Sequence, residues 1–257
     1  MANLYYREDL AASHFAVGAE IEVVGDEAHH AVRVSRLRVG ERILLGNGAG
    51  IIGQGEVTAA EKQRFAVRLS EVREHPVPSP RLVLAQALAK GDRDERAVEQ
   101  ATEFGVDAIV PWAASRSVSR WADAEKQDRG RGKWQRIARE AAKQSLRARV
   151  PEVEAPTTLQ GLLARCAAPG TAVVALHPAG SEPLSAWARA AAASASTGSG
   201  LHEIVVVIGP EGGFSDDELA AARAGGAEVL VLGETVLRTS SAGPAGLGVL
   251  NTVLGRW

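Results

Sequence analysis

A glycine-rich loop, Gly209–Gly213, directly follows the most apolar predicted strand of the sequence, 203–208. After the loop, Ser215 and Glu218 have the spacing of a capping box, which begins a helix. The loop is therefore expected at the carboxyl end of a strand, where open α/β sheets bind ligands, and its glycines lack the Cβ that would keep a ligand away. Glu211 would place a carboxylate where a phosphate would bind, which favours a cationic or amine-bearing ligand. The alternative is a tight turn before a capped helix.

A second loop, 232–242, follows the next predicted strand, 228–232, and leads into an apolar helix of small residues over 242–254. Loops that follow successive strands of a parallel sheet are expected side by side, so the two loops together indicate one ligand site. Arg238 is the basic residue of the second loop, and the alternative for it is a surface salt bridge.

Other chemistry-bearing patterns are absent or misleading. Gly48–Gly53 has the spacing of a dinucleotide fingerprint, but a predicted strand follows it instead of a helix, which favours a glycine-rich hairpin. No P-loop, nucleophile elbow or His-Glu-x-x-His motif occurs. His29 and His30 are adjacent and point to different helix faces, so we expect no metal site. Cys166 is the only cysteine, which excludes an intramolecular disulfide and favours a buried position in a protein of the reducing cytoplasm.

The composition is that of a globular protein. The chain has 257 residues, of which 46% are hydrophobic and 23% charged, enough for one large domain or two small ones. No apolar run is long enough for a transmembrane helix, and acidic residues appear too early for a signal peptide.

Basic residues are concentrated in two clusters although the formal net charge is −2. Residues 129–149 carry eight basic side chains against the single acidic Glu140. The second cluster consists of Arg33, Arg36, Arg38 and Arg42. Local positive charge on a mildly acidic protein indicates a defined polyanion site, and the alternative is a solvated helix face.

The order of predicted elements indicates two domains. Residues 1–72 contain short strands between glycine turns, which predicts a small barrel, with one helix from about Asp26, as its capping residue, to Leu37. Three prolines within 75–80 predict a stiff linker. Beyond it, strands alternate with helices, as in a mostly parallel sheet. The predicted strands cover 81–85, 107–111, 171–176, 203–208 and 228–232, and the helices 92–104 and 132–146. The low-complexity stretch 190–200 predicts a helix end followed by a flexible surface loop.

The order of these motifs resembles the ribosomal RNA uridine-N3 methyltransferases of the RsmE family, in the SPOUT superfamily of S-adenosylmethionine enzymes. The resemblance covers nearly the whole chain. It is carried by the segments 29–33 and 36–40, 86–92, 101–107, 144–152, 209–215 and 232–239. The chain departs from the family pattern at Lys143 and Leu146, where the family often has glutamate and glycine, and at 239–242, which is Thr-Ser-Ser-Ala.

The resemblance implies an α/β protein with an N-terminal PUA-like β-barrel and a SPOUT domain that ends in a trefoil knot. It implies a PUA-like RNA-binding barrel over 1–74, a proline-rich linker over 75–80 and a methyltransferase domain over 81–257, with the cofactor site in about 172–257. It further implies a cytoplasmic homodimer without a metal. The implied reaction is the transfer of a methyl group from S-adenosylmethionine to N3 of one uridine in 16S rRNA of the assembled small ribosomal subunit.

The resemblance also implies which residues act. The cofactor-binding residues would be Leu176, His177, Gly209, Pro210, Glu211, Gly212, Gly213, Leu232, Gly233, Val236, Leu237, Arg238 and Ser240. Glu211 would help accommodate the cationic sulfonium of the cofactor. Arg238 is the candidate catalytic residue, because a uridine N3 that has lost its proton is an anion that a guanidinium can stabilise.

The RNA contacts are assigned mainly to one helix. Arg136, Arg139, Lys143 and Arg147 recur at spacings of three and four, so we expect them on one face, with Trp134, Ile137 and Ala141 on another. The full predicted RNA-binding set is Arg33, Arg36, Lys90, Arg116, Arg136, Arg139, Lys143, Gln144 and Arg147.

Two other functions remain open at this point. One is a non-catalytic RNA-binding or assembly factor that has kept the fold, which would not bind the cofactor. The other is a methyltransferase of the same superfamily that modifies a ribose 2′-hydroxyl or a guanine.

Overall fold

The computed structural model describes residues 3–195 and 200–257. The chain divides into two compact units, one formed by Met1–Val77 with Ala142–Val150 and the other by Pro78–Ala141 with Pro151–Trp257. Among the described residues, no helix is both long and apolar enough to cross a membrane.

The first unit is built on a five-stranded sheet in the order β1-β3-β4-β5-β2. Its strands are β1 (Leu4–Tyr6), β2 (Glu20–Val24), β3 (Arg42–Gly46), β4 (Ile51–Glu61) and β5 (Arg64–Glu74). The pair β1–β3 is parallel, and the other pairs are antiparallel. Two register shifts between β4 and β5 mark irregularities of the kind that bend a sheet. In the described pairings β1 and β2 are edges, so the unit is an open curled sheet, and the predicted barrel is confirmed only in part.

The glycine-rich segment after β3 is a hairpin, as predicted. Asn47 Oδ1 accepts hydrogen bonds from the amides of Ala49 and Ile51, at 2.9 and 3.0 Å. Gly48 and Gly50 have φ values of 66° and 115°, which side-chain-bearing residues rarely adopt. The dinucleotide-like spacing therefore reflects turn geometry.

The predicted helix over 26–37 is wrong in extent and in its cap. The structure has a short helix α1 (Gly25–His29) followed by one π-helical turn (His30–Val34). The N-cap residue is Val24, which forms no side-chain cap bond, and Asp26 lies inside the first turn. Arg36 has a φ of 55°, in the left-handed region, so the helix cannot continue to Leu37.

The second unit contains a six-stranded, fully parallel sheet in the order β11-β9-β10-β6-β7-β8. Its strands are β6 (Arg81–Ala87), β7 (Ala108–Trp112), β8 (Glu152–Val153), β9 (Thr171–Leu176), β10 (Glu203–Ile208) and β11 (Glu228–Leu230). Alternate residues of β6 and β10 belong to two separate hydrophobic clusters. Leu84 and Val206 lie in one cluster, and Ala85 and Val207 lie in the other. The central strands are thus buried on both faces, which explains their continuous apolar sequence.

Six α-helices accompany these strands in the described part of the chain; five connect successive strands, and the last follows β11. They are α2 (Arg93–Glu103), α3 (Ala124–Gln144), α4 (Leu159–Leu163), α5 (Leu184–Ala195), α6 (Asp216–Ala224) and α7 (Thr239–Val253). Gly105 follows α2 with a φ of 83°, as expected of a residue that ends a helix. The helix predicted over 132–146 begins earlier and ends at Gln144, since Leu146 has a φ of 55°. Of the predicted surface loop, 196–199 lie outside the described residues.

Two glycines of α3 provide a test of how this helix packs, because they lie only two residues apart but in different surroundings. A Cβ at Gly130 would lie 2.2 Å from the Trp121 ring, whereas a Cβ at Gly132 would meet nothing within 4 Å. We expect Gly130→Ala to destabilise the protein by about 1–3 kcal/mol through overpacking. Gly132→Ala should stabilise it by about 1 kcal/mol, because alanine favours helix. Thermal unfolding measures both, and equal midpoints for the two variants would contradict the packing of Trp121 against α3.

Candidate active site

Three loops that follow neighbouring strands β9, β10 and β11 enclose a cleft of about 630 Å³. Its lining residues are Arg93, Leu176, His177, Pro178, Ile208, Gly209, Pro210, Glu211, Gly212, Gly213, Phe214, Val236, Leu237, Arg238, Thr239 and Ala242. A smaller cavity of about 70 Å³ shares several of these residues and extends to Leu232 and Gly233. The two ligand-type loops recognised in the sequence therefore meet in one site.

The glycine-rich loop is held in place where it leaves β10. The Trp112 indole Nε1 donates to the carbonyl oxygen of Ile208 at 3.0 Å, and the Thr239 hydroxyl donates to that of Gly209 at 2.7 Å. The Trp112 ring also stacks on Phe214, with centroids 5.6 Å apart. These contacts fix the path of the backbone before the loop reaches Glu211.

The capping box predicted after the loop is confirmed. The Glu218 amide donates to Ser215 Oγ at 3.1 Å, and the Ser215 amide donates to Glu218 Oε2 at 2.8 Å. Partial burial raises the pKa of Glu218, but the amides of Ser115 and Ser215 outweigh it, so the pKa is lowered overall. The carboxylate therefore stays ionised at the N-terminus of α6, where negative charge is favourable.

Glu211 is part of an ion pair. Its Oε1 accepts from Arg93 Nη1 at 2.6 Å and from the backbone amide of Lys90 at 2.9 Å. Partial burial raises the pKa of Glu211, but the bonds to its own amide, to Arg93 and to Lys90 lower it by more. Glu211 is consequently a weak base, and the positive charge of Arg93 already neutralises its charge.

His177 begins the loop after β9. Its Nδ1 accepts from the Ala179 amide at 3.1 Å, which leaves the proton of the neutral ring on Nε2. Partial burial lowers the pKa of His177, and the guanidinium groups of Arg223 and Arg116 lower it further, while Asp216 raises it. The side chain is therefore a neutral hydrogen-bond donor near pH 7.

Arg238 caps α7 and lines the cleft. Its backbone oxygen accepts from the amides of Ser241 and Ala242, at 2.8 and 3.0 Å. In the described part of the chain its guanidinium has no ion pair or hydrogen bond, so the surface salt bridge considered above is not formed. Val236, on the same loop, exposes 78% of its surface. The second loop thus presents one free cation beside an exposed apolar side chain.

The structure brings nearly all predicted cofactor residues together. Every one lines one of the two cavities except Ser240, which lines neither. Six further residues line the larger cleft that were not assigned to the site from the sequence: Arg93, Pro178, Ile208, Phe214, Thr239 and Ala242. Thr239 and Ala242 lie within the second recognised loop, Ile208 and Phe214 flank the first, and Pro178 directly follows His177, so all five could have been found from their neighbours. Arg93 comes from the start of α2, and no local pattern pointed to it.

The basic cluster is less free than its sequence suggested, because acidic residues outside 129–149 pair with it. Within the second unit, Arg129, Arg131 and Lys133 contact Glu125, Glu152 and Glu95. Within the first unit, Lys143 is 8% exposed and its Nζ lies 3.0 Å from Glu27. The charge counted within residues 129–149 alone therefore overstates the free positive charge of this segment.

The predicted RNA-binding residues occupy different environments. Arg33, Arg36, Lys90, Arg116, Arg136 and Gln144 are exposed, whereas Arg139 and Arg147 are half-buried. Arg116 Nη1 donates to the carbonyls of Gly212 and Phe214, both at 3.0 Å, so it also supports the glycine loop. Arg147 lies beyond the end of α3 and does not share its face, which corrects that part of the helical pattern. Trp134, Ile137 and Ala141 pack inward as predicted.

His29 and His30 are both exposed. No cluster of histidine, cysteine or acidic side chains suited to a metal occurs among residues 3–195 and 200–257.

Comparison with known proteins agrees with this architecture. The family described as an RNA methyltransferase domain matches residues 76–251, and that described as an RNA methyltransferase PUA domain matches residues 25–70. Ribosomal RNA small subunit methyltransferase E of Mycobacterium tuberculosis is 38% identical, over 100% of this chain and 94% of the relative. The Bacillus subtilis protein of the same name is 30% identical over 92% of this chain and 91% of the relative. A putative methyltransferase of Legionella pneumophila, solved with bound cofactor SAM, is 28% identical, covers 98% of both chains and has a TM-score of 0.79.

The fold and the cleft are those of an RNA methyltransferase preceded by a PUA domain. The chain belongs to the family of ribosomal RNA small subunit methyltransferase E, as its sequence motifs indicated.

The charge balance around His177 gives a first test of the site. We expect a pKa below the ordinary 6.5 and a rise towards that value in Arg223→Gln, because the substitution removes a nearby positive charge. NMR titration of the imidazole signals measures both. A wild-type pKa above 6.5, or no change in the variant, would contradict the described surroundings of the ring.

Proposed function

We propose that this protein transfers a methyl group from S-adenosylmethionine to N3 of one uridine in 16S rRNA of the assembled small ribosomal subunit. The observation that carries the proposal is the cleft, in which two glycine-bearing loops meet and the second presents Arg238, whose guanidinium has no partner among the described residues. The names of the full-length relatives supply the class of RNA.

The cleft suits a cofactor with a flat aromatic ring, whose faces are apolar, and a polar tail. Leu176, Ile208 and Phe214 supply apolar walls, and the backbone of both loops supplies hydrogen-bonding groups. A Cβ at Gly213 or Gly233 would meet nothing within 4 Å, so open space faces the backbone at both positions. These residues would hold S-adenosylmethionine, which supplies an electrophilic methyl group on a cationic sulfur.

The acceptor must lose a proton before it can react, because uridine N3 is nucleophilic only as the anion. Neither Glu211 nor His177 is suited to take that proton. The pKa of Glu211 is lowered by its ion pair with Arg93, and His177 already uses Nδ1 as an acceptor. The proton of N3 therefore passes to solvent water, and the contribution of the protein is electrostatic. Arg238 stabilises the uracil anion by charge and by hydrogen bonds to the uracil oxygens until the methyl group leaves the sulfur for N3. Positioning of N3 in line with the methyl group supplies the rest.

The RNA-facing surface is proposed to include the exposed members of the basic set. Arg33 and Arg36 would contact phosphates from the PUA domain, and Arg136 and Gln144 from α3. Lys90, Arg116, Arg139 and Arg147 complete the proposed set. Lys143 contacts Glu27, and for it we propose an indirect role in shaping this surface.

The finer architecture implied by the family is also part of the proposal. We propose sequence domain limits of 1–74 and 81–257 around the linker 75–80, with residues 142–150 of the second domain belonging to the first compact unit. We further propose a trefoil knot formed by the segments that carry the cofactor loops, a homodimer and a cytoplasmic location. The exposed Val236 and Leu237 support an interface near the cleft.

Methyl transfer to isolated subunits tests the proposed reaction. The protein is incubated with labelled S-adenosylmethionine and with small or large subunits from cells that lack this modification. We expect label in the RNA of the small subunit and none in the large subunit. Transfer to neither, despite measurable binding of S-adenosylmethionine, would contradict the substrate; no binding of the cofactor would favour a non-catalytic RNA-binding protein.

Substitution of Arg238 tests its catalytic role. Arg238→Ala is expected to reduce kcat by about 100-fold or more, because a preorganised charge at the developing anion is lost. Arg73, an exposed surface arginine paired with Glu71, provides the control variant Arg73→Ala. Wild-type methyl transfer by Arg238→Ala with normal cofactor binding would disprove the role.

Salt dependence tests the RNA surface. Arg136→Ala should weaken binding of small-subunit RNA and reduce the slope of log affinity against log salt by about 1, because one phosphate contact is lost. Arg68→Ala is the control, since Arg68 is exposed, pairs with Glu20 and lies outside the proposed set. RNA binding that does not respond to salt would contradict the surface as a whole.

A further inference from the structure

A buried amide lies beneath the cofactor cleft. Gln86 is 0% exposed and lies near the end of β6, paired in register with Ile208 at the end of β10. Its Nε2 donates to Thr239 Oγ1 at 2.8 Å and to the Ala87 carbonyl at 3.1 Å. The Thr239 hydroxyl in turn donates to the Gly209 carbonyl at 2.7 Å.

This chain of hydrogen bonds joins three segments that are far apart in the sequence. Gln86 belongs to β6, Gly209 begins the glycine-rich loop, and Thr239 is the first residue of α7, directly after Arg238. The Thr239 hydroxyl is an acceptor toward Gln86 and a donor toward Gly209, so each bond fixes the direction of the other. Both cofactor loops are thereby tied to one strand of the sheet.

The amide is not explained by fold stability alone. Its Oε1 is buried and has no hydrogen-bond partner among the described residues. A buried acceptor without a partner is unfavourable, and an apolar side chain of similar size avoids that cost. An amide at this position therefore requires another reason. Of its two hydrogen bonds, the one to the Ala87 carbonyl is local, and the one to Thr239 reaches the cofactor loops.

We propose that Gln86 is a positioning residue for methyl transfer, acting through Thr239 to hold Gly209 and Arg238 at their places in the cleft. The inference rests on the proposed function in taking S-adenosylmethionine as the cofactor. Gln86 does not line the cleft, so its effect on the reaction passes through the two loops.

The test compares Gln86→Leu with a matched control elsewhere in the same unit. Asn251 is also buried, at 1% exposure, and its Nδ2 donates to the Phe104 carbonyl at 2.6 Å, but it does not line the cleft. Asn251→Leu therefore removes a comparable buried amide bond away from the loops. For the full chain of each variant, calorimetry measures the dissociation constant of S-adenosylmethionine, and thermal unfolding measures stability without the cofactor.

We expect Gln86→Leu to weaken cofactor binding about tenfold, the equivalent of losing one buried hydrogen bond. Asn251→Leu should leave cofactor binding within about twofold of the wild type, even if it lowers the unfolding midpoint by more than Gln86→Leu does. Cofactor binding unchanged in Gln86→Leu, or weakened equally in both variants, would overturn the proposal.

Thr239 supplies a second pair of variants that keeps the proposal testable if Gln86→Leu does not fold. Thr239→Val removes the hydroxyl at constant shape and should weaken binding by a similar factor, whereas Thr239→Ser keeps the hydroxyl and should recover the affinity. The double variant Gln86→Leu/Thr239→Val should bind about as weakly as either single variant, because the two act as a unit. Additive losses would contradict the chain of hydrogen bonds from Gln86 through Thr239 to Gly209.

The proposed reaction and this inference can fail separately. If the wild type binds S-adenosylmethionine without methylating RNA, the proposed reaction fails, while cofactor binding by the variants still tests the chain of hydrogen bonds.

Discussion

The cleft depends on how the protein holds two consecutive carbonyl groups at the end of β10. Trp112 donates to the oxygen of Ile208 and Thr239 to that of Gly209. A glycine-rich loop has many accessible conformations, so its usefulness as a binding surface depends on contacts that select one of them. Here the selecting groups are side chains from β7 and α7, which are positioned by the hydrophobic core. The loop therefore has the rigidity of the sheet while presenting bare backbone to a ligand.

The electrostatics of the cleft follow from the same arrangement. Its charged lining residues are Arg93, Glu211 and Arg238. The first two neutralise each other at 2.6 Å, which leaves Arg238 as the uncompensated charge in the described lining. A cleft with one net positive charge is suited to stabilise an anion that forms during reaction more than to attract a polyanion. RNA attraction is instead proposed for surface arginines outside the cleft.

Local sequence patterns predicted the parallel sheet well, because strands buried on both faces need continuous apolar runs. The strands over 171–176 and 203–208 and the capping box of Ser215 and Glu218 were predicted to the residue. The helix over 26–37 failed because its end is set by the left-handed backbone of Arg36, which no periodicity reveals.

The features that local sequence patterns did not predict depend on contacts between distant segments. Arg93 reaches Glu211 across 118 residues of sequence, and Gln86 reaches Thr239 across 153. The free positive charge of the basic run of α3 could not be predicted from its neighbours in sequence, because Glu95 and Glu152 pair with it only in the folded chain. The family motifs indicated which loops are expected to bind the cofactor, but they did not indicate which side chains hold those loops in place.

The central claim is that the cleft directs a methyl group to N3 of a single uridine. Reverse transcription of 16S rRNA after incubation of unmodified small subunits with the protein and S-adenosylmethionine tests it most directly. A methyl group on N3 blocks base pairing, so the account predicts one strong, cofactor-dependent stop one nucleotide before a single uridine. Incorporation of methyl label without any stop would place the methyl group away from the pairing edge, for example on a ribose oxygen, and would contradict the account.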